Sequence, residues 1–562
     1  MLSPGLELLA NQPEHSVNSM SGNAVLQTDK TICMKKRILK PILFVLTLLI
    51  ANLFMMSAAN AQTNYYYKGT GNLNSTTNWG LNTDGSGAAP SNFTTANRIF
   101  NVRNTAAVSN SGTWTVSGAS SKIVVGDGTN ATNLTIPTGG NTIAGTIDVS
   151  AGATLTLTNT TLPTLGALNA TSTVVYNGTA NQAISAVTYG NLTYSGTATG
   201  TFGGSCNIAG NFLCSSGNVT FNSSNGARTF GITGDFTLTS TGTLEFGGGN
   251  GTSVINLSGD FSKTNGYMVT TTAAANADFN MVGTTQTMQS TGGTILKWVD
   301  FTVANGSTCT LVGDFNMKGS SGTPMIFTVS SGGTFNTASF TMLGTTTPAG
   351  NNSFVLNTGG TLGIGSANGI TTAGTASGSI RSLVRTFNAG GNYTYNGTGN
   401  QNTGTGLPNN LTGNLTIDNP GNTVTLTPAK TIANGGDVLL TNGVFAAASN
   451  LTMASTSTIT RSGGSMTGNP QGGGVYNVVY TGNSKTTGSE LNGTGLNNIT
   501  LSLTAGQTVT LGAAVTMDGT MTIGSGSTLD VSGSNFAINI AGSWTNNGGT
   551  FTGGTGTVTF NG

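Results

Sequence analysis

From about residue 119 onward, apolar side chains recur at every second position in short runs, and clusters of Gly, Asn and Asp separate the runs. Around Ser150 the runs read TIDVS and ATLTLTN; from Asn414 they read LTI, VTL, DVLL, GVF, LTM and STIT. A period of two predicts half-buried strands, and the intervening residues are those that make turns. No 3.6-residue period occurs after Ala61, so the pattern predicts an all-β chain with no helix there.

The runs repeat. An alternating V-x-Y closed by Asn-Gly (Val174 to Gly178) returns as YTYNG at Tyr393, VVYTG at Val478 and TFNG at Thr559, with a looser FNMVG from Phe279. A second signature, Asn191-Leu192-Thr193-Tyr194, returns at Asp300 to Val303, Asn414 to Ile417 and Asn498 to Leu501, with an early copy at Asn133 to Ile136. A finer period shows in Asn211-Phe212, Asp235-Phe236, Asp260-Phe261 and Asp314-Phe315, each preceded by Gly; the first three are 24 and 25 residues apart. Fixed-period self-similarity marks a repeat architecture. A period near 25 predicts a parallel β-helix (β-solenoid) with about 25 residues per coil and about four coils in each longer unit. The usual handedness of parallel crossovers makes it right-handed. Successive coils then stack ~4.8 Å apart, with Gly at the corner and the aromatic turned inward.

The amino end differs. Residues 1–33 read as an over-extended upstream segment, with Met34 as the start. Met34-Lys35-Lys36-Arg37, an apolar run from Ile42 to Met56 and Ala59-Asn60-Ala61 make residues 34–61 a secretory signal peptide cleaved after Ala61. The run is short of the ~20 residues of a spanning helix, so no transmembrane span is expected after cleavage, and the protein is placed outside the cell or on its surface. Residues 62–118 are aromatic and irregular, with Tyr65, Tyr66, Tyr67, Trp79, Phe93, Phe100 and Trp114. They read as the atypical cap of a repeat stack. Residues 119–562 are the solenoid, expected to be truncated because TVTFNG opens a fresh unit.

Composition narrows the chemistry. Only 6% of the 562 residues are charged and the net charge is +1, which removes any electrostatic case for nucleic acid. The one histidine, His15, precedes the signal peptide, so His-based triads and metal sites are excluded from the mature chain. Beyond Ala61 no two acids lie closer than ten residues in sequence. Glycosidases need two carboxylates facing one bond and lyases a base with charge neutralisation; either would have to assemble across coils. No P-loop, G-x-S-x-G or H-E-x-x-H occurs. Arg381 with Arg385, and Lys297 with Asp300 around Trp298, read as local surface pairs.

No catalytic or cofactor-binding residue is assigned and no cofactor is expected. The one candidate for a metal is a calcium site at Asp235 and Asp260, which the 25-residue period brings within ~5–7 Å on adjacent coils. The competing reading is that each Asp braces its own turn. Cys206 and Cys214 are near enough in sequence for a disulfide, against the alternative of small buried hydrophobes. Three functions remain: a structural or adhesive surface rod without catalytic activity, a polysaccharide-active β-helix enzyme (lyase or glycosidase), or a binder of glycan or ice. The last would use outward ranks of Thr135, Thr193, Thr302, Thr416 and Thr500. Surface glycans or other cell-surface proteins are the expected partners.

The opening YYYKGTGNLNSTTNWGLNTDGSGAAPSNFTTANRIFNV and the V-x-Y-N-G … N-L-T-I units resemble large exported Gly/Thr/Asn-rich repeat proteins of Bacteroidota. That resemblance implies adhesin-like, autotransporter-like β-solenoids, many of them ending in a type 9 secretion sorting domain, which this sequence lacks. It carries over no catalytic residues.

Overall fold

The computed structural model describes residues 61–562, apart from 104–106, 110–111, 139–140, 249, 271–274, 296–297, 318–324, 345–351 and 373–376. The upstream segment and the signal peptide as far as Asn60 lie outside the described residues. Among the described residues every element is a strand except two three-residue 3-10 turns, Thr76–Asn78 and Ser489–Leu491. The strands stack as parallel coils into a β-solenoid of about 19 turns. At ~4.8 Å per rung this is about 90 Å of stacked coil.

One parallel sheet runs the length of the stack, from Ala107–Ser109 to Trp544–Asn546. The two sequence signatures are successive rungs of it. Val174 pairs with Leu192 and Tyr176 with Tyr194; Tyr393 pairs with Leu415, and Val478 with Ile499. The FNMVG and Asp300 copies are also successive rungs, Phe279 on Phe301, but on a lateral sheet. The spacing between the signatures is therefore one coil.

Coil length varies more than the finer period implies. Phe212, Phe236 and Phe261 are register partners at the expected spacing. Val174 and Leu192 are only 18 residues apart, whereas Leu362 and Tyr393 are 31 apart. Pairing constrains the strands and not the corners, so a corner absorbs extra residues without shifting register.

The other sides are covered by shorter sheets that stop and restart. One of eight strands runs from Cys206–Ile208 to Val384–Phe387, and another of four begins at Asn410–Leu411. Further lateral sheets start at Gln182–Ile184, Lys485–Thr486 and Val515–Met517. Those beginning at Gln182, Asn410 and Lys485 follow the V-x-Y signatures at Val174, Tyr393 and Val478. The long sequence period thus marks seams where a lateral sheet is renewed.

The inward face is mostly apolar, and the aromatics of the Gly-Asp-Phe corners point into it. Phe236 stacks on Phe261 with ring centroids 5.6 Å apart. On the eight-stranded sheet Phe301, Phe327 and Phe354 continue a second column at 6.2 and 6.0 Å. At the amino end Thr63–Tyr67 pairs antiparallel with Trp79–Gly80 along the edge of the first lateral sheet. Trp79, Phe93, Phe100 and Trp114 pack there as one buried cluster, with Trp79 and Trp114 centroids 5.3 Å apart. Parallel stacking begins within the stretch read as the cap, because Arg98–Val102 already pairs with Lys122–Val125.

Candidate functional site

The repeated corners form a ladder between coils. The Asp235 N–H donates to Asn211 Oδ1 (2.8 Å), Asp260 N–H to Asp235 Oδ1 (2.9 Å) and Thr287 N–H to Asp260 Oδ1 (2.6 Å). Asp314 and Asp437 accept in the same way from Thr341 and Thr458. This corrects the expectation that each Asp braces its own turn: the side chain reaches the backbone of the following coil. Asn serves equally well because only one oxygen is used, which is why Asn and Asp interchange in the repeat. Among the described residues no three His, Cys, Asp or Glu side chains gather to hold a metal ion.

Cys206, Cys214 and Cys309 are buried free thiols. Cys206 lies on the eight-stranded lateral sheet and Cys214 on the long sheet, so the pair falls on different faces and makes no disulfide. Burial pushes each thiol up to about 12.

Two acids well separated in sequence do meet. Asp278 and Asp300 are register partners on adjacent outward-facing rungs. Asn276 Nδ2 donates to Asp278 Oδ1 (2.9 Å), and the Ile326 N–H donates to Asp300 Oδ1 (2.7 Å). Partial burial, reinforced by the Asp278 charge, pushes the Asp300 carboxyl up to about 6; burial also raises Asp278. A folded-state value above the unfolded one means that the folded chain holds the proton longer. Stability should therefore rise as pH falls from about 6 towards 3.8. Thermal melts across that window check this, and Asp300→Asn should flatten this part of the profile; an unchanged profile in the variant refutes it.

Most described cations serve the backbone. Arg228 Nη1 donates to the carbonyls of Phe202 (2.6 Å) and Phe221 (2.9 Å), and Lys430 Nζ to that of Leu407 (2.5 Å). Buried Lys263 donates to the Gly292 carbonyl, and burial lowers its ammonium to about 8. Arg385 is no surface pair with Arg381, as the sequence reading had it. It pairs with Phe354 on an inward rung, and its Nε and Nη1 donate to the carbonyls of Ser382 (2.8 Å) and Thr371 (2.7 Å). Lys297 lies outside the described residues.

Sequence reading missed a side chain that fastens two of these seams, and one further copy of the V-x-Y-N-G signature, to the preceding coil. Three buried glutamines follow the signature: Gln182, Gln286 and Gln401. Gln182 Oε1 accepts from the Gly178 N–H (2.8 Å), and its Nε2 donates to the Leu157 and Asn159 carbonyls (both 2.9 Å). Gln286 and Gln401 repeat the arrangement with Gly283 and Gly397. The signature tyrosine is the second fastener. Tyr176 OH meets Tyr189 OH at 2.9 Å, and Tyr395 OH donates to the Thr403 carbonyl at 2.7 Å. The legible signal was a Gln three or four residues after the Gly.

Beside the seams lie shallow clefts. One of about 340 Å³ is lined by Thr138, Thr142, Thr158, Asn159 and Thr179, and one of about 300 Å³ by Asn207, Gly231, Thr233 and Asn256. A third, of about 240 Å³, lies where the eight-stranded sheet ends and carries Arg385 and Phe387. Thr135, Thr193, Thr416 and Thr500 sit on outward rungs of the long sheet, but Thr302 sits on the lateral sheet. Their rank is broken by Val175, Leu213, Leu439 and Val479, so it is not a uniform threonine face.

No family model matches the chain, no curated protein matches it, and no solved structure matches it.

Proposed function

We propose that the mature chain is an exported surface rod, structural or adhesive, with no catalytic activity of its own. The observation that carries this reading is the single unbroken parallel sheet spanning about 19 turns, along which acids brace the next coil and cations bind backbone carbonyls. Side chains used in this way hold a long stack rigid; they are not gathered around a reacting bond. The amino-terminal basic–apolar–AxA segment supports export, and the resemblance to exported Bacteroidota repeat proteins supports a place at the cell surface. Surface glycans or neighbouring surface proteins are the partners this reading implies.

Solution scattering of the secreted chain tests the rod: its longest dimension should be at least the ~90 Å of stacked coil, and a compact sphere refutes it. One observation favours polysaccharide cleavage as a second reading, the Asp278–Asp300 carboxylate pair. A glycan panel with product analysis separates the two. The rod reading expects no products, and turnover abolished by Asp300→Asn overturns it.

A further inference from the structure

We propose that Asn265 and Gly266 form a site of spontaneous backbone modification, at which the Asn265 carboxamide closes to a succinimide and is hydrolysed to aspartate and isoaspartate.

The pair makes the corner between Phe261–Lys263 and Tyr267–Val269. Asn-Gly occurs many times in this chain, since both residues suit turns, so the dipeptide alone selects nothing. The hydrogen bonds do. Gly178 and Gly397 give their N–H to Gln182 (2.8 Å) and Gln401 (2.9 Å), Gly306 to the Gly332 carbonyl (3.1 Å) and Gly369 to the Ser366 carbonyl (2.9 Å). Each of those nitrogens is held on a group other than its own asparagine. The Gly266 N–H instead donates to Asn265 Oδ1 (2.9 Å). The nitrogen that must attack already rests against the carboxamide, and the same bond polarises that carbonyl. Only the amide plane has to turn, and its χ2 torsion is a soft one. Neighbouring residues hold the corner in this posture: the Thr264 N–H donates to the Leu238 carbonyl (3.0 Å) and the Tyr267 N–H to that of Gly242 (2.9 Å). Such positioning is what speeds an intramolecular attack. Asn265 is exposed, so water reaches the site and ammonia can leave it.

Water is the only co-reactant. The Gly266 nitrogen loses its proton to solvent and bonds to Asn265 Cγ; the Cγ–Nδ2 bond breaks, and the nitrogen takes up a proton from water and leaves as ammonia. Water then opens the ring at Cγ, giving aspartate, or at the backbone carbonyl carbon, giving isoaspartate, whose main chain is longer by a methylene. The corner has no room for that methylene. A Cβ on Gly266 would already lie 2.4 Å from the Ser240 carbonyl oxygen and 2.6 Å from that of Gly242. Isoaspartate should therefore break the Tyr267–Gly242 bond and loosen the start of the strand Tyr267–Val269.

The test is peptide mapping by mass spectrometry of the full secreted chain, aged in neutral and in mildly alkaline buffer, both native and in denaturant. In the native chain Asn265 should deamidate at least about tenfold faster than Asn177, Asn305, Asn368 or Asn396. The rate should rise with pH, because the attacking nitrogen must lose a proton, and isoaspartate should be among the products. In denaturant the five rates should converge, since the bonds that set them apart are gone. Asn265→Gln, whose longer side chain does not close this ring, should lose the site, with circular dichroism confirming the fold. Hydrogen exchange at Tyr267 should rise in the fraction that carries isoaspartate, and unchanged exchange there overturns the loosening of the strand. A native rate at Asn265 no higher than at the other four, or an advantage that persists undiminished in denaturant, overturns the assignment.

Discussion

Glu490→Ala should be the most damaging single substitution in the carboxyl-terminal coils, costing about 3–5 kcal/mol of local stability, as expected when one partner of a buried ion pair is removed. Glu490 sits on the short 3-10 turn Ser489–Leu491 and is fully buried, and Arg461 is 7% exposed. One carboxylate oxygen, Oε1, accepts from Arg461 Nη1 (2.6 Å), Tyr480 OH (2.9 Å) and the Gly488 N–H (2.9 Å). Removing it leaves a buried guanidinium, the buried Tyr480 hydroxyl and the half-buried Gly488 N–H without this acceptor. Arg461 also binds the carbonyls of Gly464 (2.5 Å) and Thr486 (2.8 Å), so it cannot swing out to solvent without breaking the corner.

Coils of a solenoid contact only their neighbours and need not unfold together. The suitable measurement is therefore hydrogen exchange at Gly488 and neighbouring amides, alongside denaturant midpoints. The double variant Arg461→Met with Glu490→Leu should recover only the share owed to the uncompensated guanidinium, because the Tyr480 and Gly488 donors stay without this acceptor and the Gly464 and Thr486 carbonyls lose their donor. Wild-type exchange in Glu490→Ala would show that the pair contributes nothing. Added salt should change little, since a buried pair is poorly screened.

What was legible in the sequence follows from which constraints are local. Alternation of Val, Leu and Ile with Thr and Asn is imposed strand by strand, so the all-β stack could be read directly; that the two signatures are successive rungs could not, because Val174 and Leu192 are 18 residues apart against a finer period near 25. The Gly-Asp-Phe corners likewise disclosed an inward aromatic. The direction of the Asp235 hydrogen bond could not be read, because bracing one's own turn and bracing the next coil call for the same residue. Asp278 and Asp300 were passed over because only the coil length between them makes them neighbours, and coil length varies with the corners. Arg385 looked like a surface charge because its inward position depends on where a lateral sheet ends, and no residue type announces that. The seam glutamines were readable, since Gly178 to Gln182 and Gly397 to Gln401 share one spacing.

Gln401 offers the sharpest test of those seams. It is buried and joins three stretches of chain: Oε1 accepts from the Gly397 N–H (2.9 Å) and Asn419 Nδ2 (3.1 Å), while Nε2 donates to the carbonyls of Ile364 (2.8 Å) and Ser366 (3.0 Å). Gln401→Leu keeps the volume but strands these partners. Each buried group left unsatisfied costs ~1–3 kcal/mol, and because neighbouring losses are not additive the total should be about 3 kcal/mol. Proteolysis should then appear between residues 398 and 409, the excursion that Gln401 and Tyr395 hold down. Gln401→Glu separates lost hydrogen bonds from lost packing. At neutral pH it places an anionic oxygen where Nε2 faced two carbonyls, so it should be worse than leucine. Burial and the two carbonyls favour the protonated acid, raising its folded-state pKa above the unfolded value of ~4.3. The folded state then binds the proton more tightly, and stability should recover as pH falls from neutral towards that unfolded value. Once protonated, the carboxyl can donate to one carbonyl again. Melts and proteolysis at neutral and acid pH decide the matter: a Gln401→Glu chain with no acid recovery beyond that of wild type, or a Gln401→Leu chain as resistant as wild type, would mean that the seam is held by strand pairing alone.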